Sequence, residues 1–273
     1  MRLGRIGYVN CYPVYGAMDR GVVVPPATLV TGTPAELNDR LADGRLDVSV
    51  ISAVAYAQHA DAFELLPDLA IGSDGPVRSV LLFSRRPPEA LDGARVLVST
   101  ASRTSVELLG LLASERWCVR FDTAPAPAEL TDRARLAAVP HDGLLVIGDL
   151  ALLLGAAGTY PFVTDLGAEW KAWTGLPFVF AVWAARREVD RRAAREVHRA
   201  LLASRAWGLE HLDELAEGAA AATGVERRRC RQYLEGLDYG LSYRHLAGLA
   251  DFLHRLAARG VVPDGTLAFL GAA

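Results

Sequence analysis

The chain has 273 residues, 51% of them hydrophobic, and a formal net charge of −3. That length suits one large or two modest domains, and the hydrophobic share excludes a disordered chain. Acidic and basic residues are interspersed with no basic block, which argues against nucleic acid as a partner. No apolar run approaches the ~18 residues of a membrane span.

Met1-Arg2-Leu3 leads straight into a strand-like run. It carries neither the apolar core nor the small-residue cleavage site of a secretion signal, so a cytoplasmic protein without membrane contact is expected. The first strand, Arg5 to Val9, stops at Asn10. Pro13 then suits an early helical position, and "VYGAMDRG" reads as a helix ending at Gly21. "ATLVTG" is a second strand. "TPAELNDRLADGRLD" is a helix with Thr33 as N-cap, Pro34 in its first turn, Glu36 three residues after the cap and Gly44 as its stop. "DVSVIS" is a third strand ending at Ser52, followed by a helix in "AVAYAQHAD". "FELLPDLAIGS" and "RSVLLFSRR" read as further strands.

The polar "RRPPEALDGA" interrupts this alternation and suggests a passage between lobes. A second α/β unit starts at "ARVLVST", continues through the helix "SRTSVELLGLLASERW", and reaches the strand and helix start "GLLVIGDLALLLG". "GLPFVFAVWAARREV" is a long apolar strand able to cross back. From Asp190 onward the chain reads as helical. The expected fold class is α/β: a bilobal, periplasmic-binding-protein-like (type II) arrangement with two crossovers. Residues 1–86 and 184–273 would form a discontinuous first lobe with a helical tail, and residues 87–183 the second. Such folds hold small molecules in the interlobe cleft, where strand ends and helix N-termini meet.

The polar groups at strand ends are therefore the candidates. "STASRTS", Ser99 to Ser105, is rich in hydroxyls and contains Arg103. At a helix start it reads either as an anion site for carboxylate or phosphate, or as a Ser/Thr-rich cap needing no ligand. Asn10 ends one strand, Ser52 another, and Asp149 follows a third; Asn is also an ordinary strand terminator and cap. Ser79 follows a Gly-Pro turn but lacks a nucleophile-elbow motif. His198, His211, His245 and His254 lie in the tail, and His59 and His141 near segment ends, none with a sequence partner. Cys11, Cys118 and Cys230 are far apart and read as reduced thiols packed as small apolar groups. No metal-binding motif is present, and no metal is expected. Trp170/Trp173 and Phe178/Phe180 read as core or cleft wall.

Taken together, "RIGYVNCYPVY", "TPAELNDRLADGRLDVSVIS", "DGPVRSVLLFS", "LVSTASRTSVELLGLL", "VIGDLAL" and "WKAWTGLPFVFAVWAAR" resemble the MqnA family of menaquinone biosynthesis, in order and spacing, from residue 4 to about residue 205. The resemblance implies a cytosolic chorismate dehydratase of the futalosine pathway. Such an enzyme converts chorismate to 3-[(1-carboxyvinyl)oxy]benzoate and water, with no cofactor. It implies catalytic roles for Asn10 and Ser79. Ser52, Ser102, Arg103, Thr104, Ser105 and Asp149 are expected to contact the substrate. An amide is a very weak base, so the enolpyruvyl carboxylate of the substrate is the favoured proton acceptor and Asp149 the competing one. The alternatives are a small-carboxylate solute-binding protein and the sister enzyme acting on cyclic dehypoxanthine futalosine.

Overall fold

A computed structural model describes residues 1–126 and 139–271. Two five-stranded mixed sheets organise them. The first contains β1 (Arg2–Ile6), β2 (Thr28–Gly32), β3 (Val48–Ser52), β4 (Phe63–Ser73) and β10 (Phe178–Arg186), in the order β2-β1-β3-β10-β4. The second contains β5 (Val80–Ser84), β6 (Arg95–Val98), β7 (Asp122–Pro125), β8 (Gly143–Ile147) and β9 (Phe162–Asp165), in the order β7-β6-β8-β5-β9. In each sheet three strands run parallel, and an antiparallel strand sits fourth, fed from the other lobe.

Helices α1 (Tyr12–Asp19), α2 (Pro34–Ala42) and α3 (Ala53–Gln58) connect the strands of the first sheet. Helices α4 (Arg103–Leu111), α5 (Gly148–Ala157) and α6 (Leu166–Thr174) belong to the second lobe. The tail is helical: α7 (Arg191–Glu210), α8 (Leu212–Thr223), α9 (Arg227–Glu235) and α10 (Tyr243–Ala258). Helix α7 packs along α1, and α10 against β10, so the tail returns to the first lobe. Among the described residues no helix is long and apolar enough to cross a membrane.

Local chemistry explains the elements that position the cleft. Thr33 and Glu36 form a reciprocal capping box: the Glu36 N–H donates to Thr33 Oγ1 at 3.3 Å, and the Thr33 N–H to Glu36 Oε2 at 2.9 Å. Both faces of β3 and β5 are buried; β5 is apolar from Val80 to Phe83, and β3 buries Ser49 with its hydroxyl donating to the Val50 carbonyl at 2.9 Å. In the second sheet the two faces feed different clusters. Leu82, Val96 and Leu145 join the main core, whereas Leu81, Phe83, Leu97 and Leu144 line a smaller one.

The lobe boundary differs from the sequence expectation. The sequence pattern places residues 80–84 in the first lobe, but β5 pairs antiparallel with β8 and β9 in the second sheet. The first passage between lobes is therefore residues 74–79, not "RRPPEALDGA". The second is residues 175–177, so β10 lies wholly in the first sheet, paired with β3 and β4. Trp170, Phe178 and Phe252 pack edge to face beside this second passage, with centroids 4.9–6.0 Å apart. Phe178 also packs against Phe180, at 4.6 Å.

The contact between α1 and α7 has no slack. A Cβ added at Gly208 would lie 2.0 Å from the Pro13 carbonyl oxygen, so only glycine permits this approach. Gly208→Ala is expected to cost about 2–3 kcal/mol as the helices are forced apart. Urea denaturation measures it; an unchanged midpoint would show that the helices separate freely.

Candidate active site

A cleft opens where the two sheets present their strand ends to each other. Its enclosed space is about 50 Å³, below the usual range of small-molecule sites, so the lobes stand close together around it. The first lobe contributes Ile6, Tyr8, Asn10, Ser52, Ile71, Phe180 and Ala181. The passage and the second lobe contribute Val77, Ser79, Ser102, Ser105, Ile147 and Gly148. Five of the residues expected from sequence thus meet here, and no charged side chain lines the cleft among the described residues. Nor do three His, Cys, Asp or Glu side chains gather to hold a metal ion among them.

The polar groups are held in defined roles. Ser52 caps α3: its Oγ accepts the Ala55 N–H at 3.1 Å and the Asn38 amide at 3.3 Å. With both lone pairs engaged, its proton is free to donate into the cleft. Asn38 is itself buried, and its Oδ1 accepts the Ser52 N–H at 3.0 Å. Ser102 caps α4, accepting the Ser105 N–H at 3.2 Å, and the two hydroxyls lie 2.9 Å apart. Ser79 accepts a hydrogen bond from the Tyr233 hydroxyl at 2.9 Å.

Asn10 Oδ1 is buried with no hydrogen-bond partner in the protein. A buried unpartnered amide is costly unless a ligand or water completes it. As placed, its oxygen end would accept a hydroxyl proton; turned over, its NH2 end would donate to a carboxylate. Helix α5 begins at the cleft with no side-chain cap on its first turn. The Gly148 N–H is taken by the Ser79 carbonyl at 2.8 Å. The dipole of that turn favours an anion, an attraction that the Asp149 carboxylate in the same turn opposes when ionised. Gly148 has φ +65°, and a Cβ there would stand 2.9 Å from the Tyr8 ring, so this corner requires glycine.

Three expected contacts do not line the cleft; they link the lobes instead. The Arg103 guanidinium pairs with Asp39 at 3.1 Å and donates to Gln58 at 3.2 Å, in the open at the rim. Thr104 Oγ1 accepts the Val54 N–H at 3.1 Å and so serves the first turn of α3. Asp149 Oδ1 accepts the Val9 N–H at 3.1 Å. The spacing in "STASRTS" is right for a helix start, but helical geometry turns Arg103 and Thr104 away from Ser102 and Ser105. The anion-site expectation is thus corrected: the hydroxyls and helix starts are in place, without the arginine.

Two residues with a part in the site were not singled out from sequence. Asn38 sits among Leu37 and Leu41 on the buried face of α2, and a lone amide on such a face is a legible sign of a buried partner. Tyr233 is on α9, where it reads as ordinary core.

A family model described as "Menaquinone biosynthesis" matches residues 1–258. The chain is 37% identical over 239 residues to the chorismate dehydratase of Thermus thermophilus, covering 82% of this chain and 84% of that one. It is 30% identical over 221 residues to the 1,4-dihydroxy-6-naphtoate synthase of the same organism, covering 78% and 76%. Among solved structures, the alkanesulfonate-binding protein of Xanthomonas axonopodis pv. citri superposes with a TM-score of 0.71 at 15% identity, over 98% and 96% of the two chains. The bilobal expectation therefore holds: the fold is that of periplasmic binding proteins.

Burial pushes the Asp149 carboxyl up from 3.8 to about 6, against the opposing pull of the Val9 N–H. The folded state thus binds this proton more tightly than the unfolded state. Its stabilising contribution is complete below about pH 4 and is lost as pH rises through about 6, a change of about 3 kcal/mol. Asp149→Asn keeps the acceptor for Val9 and removes the titration. Relative to wild type it is expected to gain about 3 kcal/mol between pH 4 and pH 7. Urea denaturation at several pH values checks this; a pH-independent difference would refute it.

Proposed function

The chain belongs to the MqnA family of menaquinone biosynthesis, and from that premise we propose that it is a hydro-lyase acting on chorismate. The product would be 3-[(1-carboxyvinyl)oxy]benzoate, formed with loss of water. The observation that carries this reading is the convergence of Asn10 and Ser79, from different parts of the fold, on one cleft lined by neutral donors.

The reaction removes the proton at C3, beside the ether oxygen. The carbanion formed is conjugated through the ring to the C1 carboxylate. Hydroxide leaves from C4 as the ring becomes aromatic, and proton and hydroxide together account for the water. Aromatisation supplies driving force, so the protein's work is to hold two carboxylates, stabilise the developing dienolate and align a base with C3. The hydroxyls of Ser52, Ser102 and Ser105 and the open first turn of α5 suit the carboxylates and the developing charge.

Asp149 engages Val9 instead of the cleft, which favours the substrate's enolpyruvyl carboxylate as proton acceptor. Asn10 then orients that side chain, and Ser79 donates to the departing hydroxyl. The alternative of a naphthoate-forming activity draws on the second relative. The "YVNCYP" and "STASRTSV" blocks suit the dehydratase better, and identity is higher to the dehydratase, 37% against 30%.

Purified protein incubated with chorismate is expected to yield the aromatic ether, followed by absorbance and mass. Chorismate left intact would refute the reading. Asn10→Ala is expected to lower kcat at least a hundredfold, and Asp149→Asn less than tenfold. If Asp149→Asn abolished turnover while chorismate still bound, Asp149 and not the substrate would be the base.

A further inference from the structure

Ser79 lies in the passage between the lobes, and its surroundings constrain it closely. Asp165 Oδ1 accepts the Val77 N–H at 3.1 Å, and Asp165 Oδ2 accepts the Arg78 N–H at 2.6 Å. Arg78 is held at φ +60°, a conformation a side-chain-bearing residue adopts only when its surroundings impose it. The Ser79 carbonyl accepts the Gly148 N–H at 2.8 Å. The backbone on both sides of Ser79 is thus fixed by the second lobe.

The Ser79 side chain is governed from elsewhere. Tyr233, on the tail helix α9, is 1% exposed, and its hydroxyl lies 2.9 Å from Ser79 Oγ, also buried. Burial raises the Tyr233 phenol far above its ordinary range, so it stays protonated and donates. A serine hydroxyl has one proton and two lone pairs. Tyr233 occupies a lone pair. The competing protein acceptor for the Ser79 proton is the Val77 carbonyl at 3.5 Å, at the limit of a hydrogen bond. The proton is therefore available to a group in the cleft.

We infer that Tyr233 is a positioning residue for the reaction. By donating to Ser79 Oγ from the helical tail, it fixes Ser79 as a hydrogen-bond donor into the cleft. Without that donor, the Ser79 hydroxyl can rotate and present a lone pair to the substrate. The tail helix thereby takes part in the chemistry through one hydrogen bond, although no tail residue lines the cleft among the described residues. This inference rests on the reading of the cleft as the site of chorismate dehydration.

The test is a double-mutant cycle with chorismate as substrate. Tyr233→Phe is expected to lower kcat about tenfold, with KM changed less than threefold and the circular dichroism spectrum unaltered. Ser79→Ala is expected to lose at least as much. The double variant Tyr233→Phe/Ser79→Ala should be no slower than Ser79→Ala alone, because Tyr233 acts through the hydroxyl already removed. A purely structural role for Tyr233 would instead give losses that multiply, as would a Tyr233 acting on the substrate directly. Multiplying losses, or Tyr233→Phe at the wild-type rate, overturn the inference while leaving the cleft reading intact. If Ser79→Ala alone turns over normally, the role given to Ser79 fails, and the inference with it. Urea denaturation of Tyr233→Phe separates any loss of stability from the loss of rate.

Discussion

The insertion of β10 between β3 and β4 is the constraint on which the rest of this molecule depends. β4 ends the chain's first visit to sheet one, and β10 returns between β3 and β4, antiparallel to both. Two strand ends of the first sheet therefore carry the two passages, residues 74–79 and 175–177, side by side. The covalent connections between the lobes thus run along one narrow seam, the placement a hinge requires. Each passage also supplies a wall of the cleft: Val77 and Ser79 from one, Phe180 and Ala181 from the strand that follows the other. The buried cluster of Trp170, Phe178 and Phe252 anchors the second passage. The site is thus built beside a firmly packed connection between the lobes.

Away from the seam the lobes share a continuous apolar core and also meet through polar contacts of modest strength. The Val9–Asp149 and Val54–Thr104 hydrogen bonds each join a backbone N–H of the first lobe to a side chain at a helix start of the second. The Arg103–Asp39 pair is about half exposed, so screening leaves it little net energy. A typical hydrogen bond contributes about 1 kcal/mol net. The polar contacts alone would oppose reopening only weakly; the shared apolar core sets how far the lobes part.

The local elements were legible in the sequence because their causes are local. The capping box at Thr33 and Glu36, the Pro and Gly punctuation of α1 and α2, the β-branched residues of β3 and the apolar run of β10 needed no long-range information. The placement of β5 did need it. "SDGPVR" and "RRPPEALDGA" both carry turn residues, and the fully buried run Val80–Ser84 suits either sheet. Pairing with β8, about 60 residues later, decides between them. The strands β7 and β9 escaped notice because they are sheet edges of four residues, largely exposed and without alternation. At the site, Ser52 and Ser79 were legible as polar residues beside strand ends and Ser102 and Ser105 at a helix start; the sequence pattern ends a strand at Asn10, whereas β1 ends at Ile6 and Asn10 lies in a single helical turn, Val9–Cys11, leading into α1. The direction of Arg103 was not, since a helix start fixes spacing but leaves to tertiary packing which side chains face the cleft. Tyr233 was hidden for a related reason: a buried tyrosine on an amphipathic helix shows its apolar ring to the sequence pattern and its hydroxyl only to a folded neighbour.

The neutrality of the cleft bears on the chemistry proposed for it. The substrate carries two carboxylates. A protein carboxylate placed about 5 Å from either would repel it by about 3 kcal/mol at an effective dielectric constant of 20. That penalty weakens binding, and it raises the protein group's affinity for a proton, so part of the population arrives protonated and unable to act as a base. Asp149 already has a raised pKa of about 6 from burial alone. In contact with a dianion it would rise further and hold its proton near neutral pH. Hydroxyls and an amide avoid that conflict. They favour the anion, and the basic oxygen then comes from the substrate's own side chain, brought in with no added repulsion. On this argument Asn10 serves as an amide for a physical reason: an Asp of the same shape would repel the very carboxylate it must orient.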